Sequence, residues 1–75
     1  MRKLTLKEQR LFDLLKQESG RVVLYSELID ILPASGIHTL RQYISRLRQK
    51  IEKDPALPDI IITHWGQGYS YEGEE

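Results

Sequence analysis

No cysteine occurs in these 75 residues, which excludes disulfides, thiolate metal sites and cysteine nucleophiles at once, and fits a reducing compartment such as the cytoplasm. No apolar run approaches the roughly 18 residues of a membrane span, and the N-terminal MRKLTLKEQR lacks the hydrophobic segment of a signal peptide. The expectation is an unprocessed cytoplasmic protein with no membrane partner. Histidine is scarce: His38 and His64 are the only two, and with scattered carboxylates they match no metal-ligand spacing. The acids Glu27, Asp30, Asp54 and Asp59 come without a nucleophile or a glycine-rich phosphate loop, in a chain too short to offer a cleft that shifts a carboxylate pKa. No catalytic residue, metal, cofactor or enzymatic activity is therefore expected. An excess of positive charge is also missing, since eleven basic and eleven acidic side chains cancel, and this alone weighs against a nucleic-acid partner.

What is present is segregated. From His38 to Lys53 the bases Arg41, Arg46, Arg48, Lys50 and Lys53 face the single acid Glu52, a local balance of plus four, while Glu72, Glu74 and Glu75 crowd the last four positions. A neutral chain arranged this way still presents one positive face. Seventy-five residues make one domain, 1–75, with a small core and room for one site; residues 71–75 read as a frayed acidic tail.

The stretch that organises the chain is His38–Glu52, HTLRQYISRLRQKIE. Leu40, Ile44, Leu47 and Ile51 recur at i, i+4, i+7 and i+11, one stripe of a helix that must be buried. The opposite side carries Gln42, Ser45, Arg46 and Gln49, with Arg41 and Arg48 on one flank and Lys50 on the other. Guanidinium, amide and hydroxyl groups are the chemistry that reads base edges and holds phosphates. The plainer reading of such a charge run is a solvated helix face.

Ahead of it, Thr5 and Glu8 form a capping box that starts a helix at Leu6. Leu11, Phe12, Leu14 and Leu15 give this helix an apolar face, and Ser19-Gly20 ends it near Glu18. Arg21–Leu24 reads as a brief strand. Ser26 caps a second helix whose buried side is Leu28, Ile29, Ile31 and Leu32, and which Pro33 to Gly36 terminates. After Pro55, which stops the third helix by Asp54, Ile60–Thr63 and Tyr69–Tyr71 read as strands joined by a hairpin whose glycines suit a tight turn. Helix, strand, helix, turn, long helix and hairpin make an α+β winged helix-turn-helix. Tyr43 lies at the edge of the apolar stripe, fit for the core with its hydroxyl at the rim. Trp65 at the hairpin tip either folds back on the core or meets something outside.

Five ordered segments carry a family resemblance: Leu4–Glu8, Gly20–Val23, Thr39 with Ile44–Arg48 and Lys50, Asp54-Pro55, and Gly66–Tyr69. Together they resemble the OmpR/PhoB-type winged-helix DNA-binding domain of response regulators over nearly the whole chain. The resemblance implies a bacterial or phage transcriptional regulator that binds double-stranded DNA, with the third helix in the major groove and the wing, 63–69, on the backbone or minor groove. It implies a homodimer or tandem copies on repeated half-sites, and RNA polymerase as a further partner. The contact set it marks is His38, Thr39, Arg41, Gln42, Ser45, Arg46, Arg48, Gln49 and Lys50 on the helix, with His64, Trp65 and Gln67 in the wing. No receiver domain precedes the helices in these residues. The turn from Pro33 to Ile37 is shorter than the family loop that touches polymerase, Arg41 stands where the family often has an acid, and Trp65 stands where it commonly has arginine. The alternative from another class is a protein-interaction module of the same fold, with Trp65 as its anchor.

Overall fold

The computed structural model describes residues 3–32 and 36–73. Helix α1 spans Leu6–Gln17, strand β1 Val23–Leu24, helix α2 Tyr25–Ile29, helix α3 Ile37–Ile51, and strands β2 and β3 Ile61–His64 and Gly68–Tyr71. The strands form one antiparallel sheet in the order β1-β3-β2. This is the expected α+β winged helix, with one addition: β1 is the third strand of the wing sheet, pairing Val23 with Tyr69 and Leu24 with Gly68.

The α1 start is a reciprocal box. The Glu8 amide donates to Thr5 Oγ1 at 3.2 Å and the Thr5 amide to Glu8 Oε1 at 2.9 Å, satisfying two donors that a helix start leaves unpaired. Gly20, at φ +86°, takes the left-handed position after the helix. The core gathers Leu11 and Leu15 of α1, Val23, Leu28, and Leu40, Ile44 and Leu47 of α3 around Ile61, Tyr69 and Tyr71. Burying each such aliphatic side chain is worth about 1.5 to 3 kcal/mol, so the α3 stripe read from spacing is a main source of stability. Phe12 meets Tyr71 edge-on, with ring centroids 5.8 Å apart, and Tyr25 meets Tyr69 at 5.9 Å.

Three local readings are corrected. Ser26 does not cap α2, which begins at Tyr25 with Leu24 as its cap residue; the Glu27 carboxylate takes the Leu24 amide at 2.9 Å instead. The helix closes at Ile29, and Ile31 and Leu32 reach the core from turns beyond it. The tail does not fray from residue 71. Tyr71 is buried in β3 and the Glu72 amide donates to the Ile60 carbonyl at 2.7 Å, because closing the hairpin base extends the ladder. Pro33, which was expected to end α2, and Glu74-Glu75 lie outside the described residues.

Candidate nucleic-acid interface

Helix α3 buries Leu40, Ile44 and Leu47 and leaves His38, Arg41, Gln42, Ser45, Arg46 and Gln49 exposed. Thr39 and Tyr43 are half-buried, and the Arg46 guanidinium lies 5.8 Å from the Tyr43 ring centre, which steadies a long cation on the outward face. Between α3 and the wing runs a groove of about 300 Å³, lined by Arg41, Ser45, Arg48, Gln49, Pro55, Thr63, Trp65 and Tyr69. It contains two guanidiniums, three hydroxyl side chains, an amide and two aromatic rings, one of them the Tyr69 phenol, and no acid.

The wing places its residues by strand alternation. Thr63 turns toward α3. His64 points to the other face, where its Nε2 meets Ser70 Oγ at 2.8 Å, and Ser70 Oγ donates to Glu72 at 2.8 Å. His64 is thus separated from the groove. Gly66 at φ +78° makes the turn, with the Gln67 amide donating to the His64 carbonyl at 2.9 Å. Gln67 is exposed at this tip, and Trp65 is 81% exposed, which resolves the two roles open to it: the ring does not fold back on the core.

Two of the basic residues face inward. Lys50 Nζ donates to Glu8 Oε1 across the α1–α3 contact. Burial pushes the Glu8 carboxyl up, but Lys50 and the Thr5 cap together outweigh it and hold the group below its ordinary range. Arg48 Nη2 donates to the Ile61 carbonyl and to Thr63 Oγ1, each at 2.8 Å, and its guanidinium stands 5.6 Å from the Tyr69 ring centre. Burial lowers the Arg48 pKa against the nearby Tyr69 and Glu52, and raises that of Tyr69 with help from Tyr25, against Arg48 and Arg41. Tyr69 is therefore a neutral phenol on the groove floor.

Sequence reasoning passed over Glu52. Its carboxylate is buried and accepts the amides of Asp59, Ile60 and Ile61 at 2.8 to 3.2 Å, capping the start of β2. A lone acid in a basic helix, four residues after Arg48, was the available signal.

Residues 2–71 match the family described as "Transcriptional regulatory protein, C terminal". The chain belongs to this family. It is 42% identical over 74 residues to the sensory transduction protein RegX3 of Mycolicibacterium smegmatis, and 38% identical over 72 residues to the KDP operon transcriptional regulatory protein KdpE of Escherichia coli. Those matches cover 93% and 91% of this chain and 32% of each relative, so the chain spans about one third of their length. Among solved structures, response regulator DrrB of Thermotoga maritima, an OmpR/PhoB homolog, superposes with a TM-score of 0.86 at 32% identity, over 95% of this chain and 34% of that one. The OmpR/PhoB-type domain is a DNA-binding unit of transcription regulation, with bacterial relatives, and it is not an enzyme. No helix among the described residues of this domain is long and apolar enough to cross a membrane.

Proposed function

We propose that the domain regulates transcription in the cytoplasm by reading a specific duplex, with the outward face of α3 in the major groove and the wing tip on the adjoining backbone or minor groove. The observation that carries this is the acid-free groove between α3 and the exposed Trp65, beside an α3 face that exposes Arg46, Gln42 and Gln49. Arg46, Gln42 and Gln49 have the donor geometry for guanine and adenine edges. Arg41, Ser45 and Thr39 serve phosphates, as do the first amides of α3, which no side chain caps among the described residues. Gln67 and Trp65 meet the strand beside the wing. Family membership favours this over a protein-docking module. One module of this kind covers about 600 to 1,000 Å² of DNA, so two copies on repeated half-sites, paired or adjacent, would bind a regulatory site. RNA polymerase is proposed as a second partner, to be read as a supershift of the DNA complex.

The first test is titration into random-sequence and genomic DNA fragments at low and moderate salt. Binding that weakens with salt and prefers some fragments supports the proposal; no binding at low salt refutes it. Arg46→Ala is expected to cost about 1 to 3 kcal/mol of binding and to relax discrimination at one base pair. Equal affinity of variant and parent on the preferred duplex would remove Arg46 from the reading set. Trp65 emission is expected to be quenched on saturation with that duplex, since its ring is exposed in the free protein; an unchanged spectrum would take the wing tip off the DNA.

A further inference from the structure

Strand β2 is a sheet edge, and an edge exposes a row of amides and carbonyls that a protein must occupy or cover. Here Arg48 of α3 and its C-cap residue Glu52 occupy those of Ile61. Ile61 faces Tyr71 across the ladder, yet its own polar groups go to the helix: its amide donates to Glu52 at 2.8 Å and its carbonyl accepts from Arg48 at 2.8 Å. Arg48 lies in the last turn of α3 and Glu52 is its extended C-cap residue, whose amide donates to the Arg48 carbonyl at 2.8 Å, and together they grip a single strand residue from both sides. Arg48 reaches further along the strand to Thr63 Oγ1, and its guanidinium faces the Tyr69 ring of the neighbouring strand. These bonds tie the C-terminal end of α3 to strand β2, while Arg41, further up the helix, bonds Tyr69 of β3. They fix how far the wing tip stands from the outward face of the helix, the spacing that a duplex lying across both must match.

We infer that Arg48 is a positioning residue of the DNA interface: it sets the wing against the recognition helix and makes no DNA contact of its own. The inference rests on the proposed DNA reading and deepens it. Arg48 is a cation lining the groove beside the face that would meet DNA, so the competing role is a phosphate contact, and the two differ in salt dependence. Neutralising a phosphate releases counterions and contributes about 0.9 to the slope of log K against log salt; a strut inside the protein contributes nothing to it.

The experiment uses the whole chain and a duplex that the parent selects from a random-sequence pool. Arg48→Ala and Thr63→Val are each expected to weaken binding about tenfold, with the double variant close to either single one because both remove the same strut. The salt slope stays at the parent value, and hydroxyl-radical protection fades under the wing while persisting under α3. Thr63→Val keeps shape and charge, so it carries the test if Arg48→Ala unfolds. A slope that falls by about one in Arg48→Ala, or parent-like binding by Thr63→Val, overturns the inference while leaving the DNA reading intact. A parent that selects no duplex overturns both.

Discussion

Gly68→Ala is expected to unfold the domain or to lower its melting temperature by more than about 12 °C, read by circular dichroism. An added Cβ would stand 1.9 Å from the Val23 carbonyl oxygen, 2.8 Å from the Val23 carbonyl carbon and 3.0 Å from the Leu24 Cα. All three are backbone atoms, so no rotamer change relieves the contact. The strands must separate, and β1 has only the Val23–Tyr69 and Leu24–Gly68 pairs to lose. With them goes the adjoining bond from the Tyr25 amide to the Gln67 carbonyl, 3.0 Å, which ties the start of α2 to the wing. Overpacking typically costs about 1 to 3 kcal/mol and occasionally more, a clash with backbone atoms belongs at or above the top of that range, and in a domain this small each kcal/mol moves the midpoint by roughly 4 to 8 °C. Gly66→Ala is the control. Its site has a positive φ but open space around the missing Cβ, so it should cost only about 1 to 2 kcal/mol. Equal melting of the two variants would show that β1 tolerates displacement.

The contrast between these glycines marks what a sequence can and cannot say. Both sit in one short Gly-Gln-Gly hairpin, and local propensity assigns both to the turn. Only Gly66 serves it; Gly68 exists for a strand some 45 positions earlier in the chain, and no local pattern announces that. The elements themselves were legible because each follows from local chemistry: the Thr5–Glu8 box, the Leu40–Ile44–Leu47 stripe, the β-branched run at Ile60–Thr63. The α2 cap was misplaced for a related reason. Ser26 has the right side chain, but the chain enters that helix directly from β1, so Leu24 takes the cap position and Glu27 supplies the oxygen. On the candidate site, periodicity put Arg46, Gln42, Ser45 and Gln49 on the outward face, where they stand. It placed Arg48 and Lys50 beside them as further cations, because a helical wheel gives direction and not the partner that waits there. The partners are a strand carbonyl and a carboxylate on another helix, both distant in sequence.

Lys50 supplies the second large effect. Lys50→Met is expected to destabilise the domain by about 2 to 3 kcal/mol at neutral pH, somewhat below the cost of breaking a fully buried pair because the lysine is itself partly exposed. The loss arises at Glu8, which stays buried and charged without its main partner. Adding Glu8→Gln should therefore recover stability, since glutamine keeps the Thr5 cap and removes the stranded charge. The pH dependence has a definite sign. In the parent, the folded-state pKa of Glu8 lies below its ordinary 4.5, so its stabilisation is complete above about pH 4.5 and is lost as pH falls through the lower folded value. In Lys50→Met, burial acts with less opposition and raises the folded value above the parent's, so protonation costs less than in the parent and the deficit narrows as pH falls. Urea unfolding of the three proteins from pH 7 to pH 3 measures this, and a deficit constant with pH would place its origin in packing rather than charge. The same ion pair bears on the interface. A lysine neutralised against Glu8 is not available to phosphate, so Lys50→Met, measured where it is still folded, should keep the parent's salt slope on DNA, whereas loss of a cation from the outward face should lower that slope by about one.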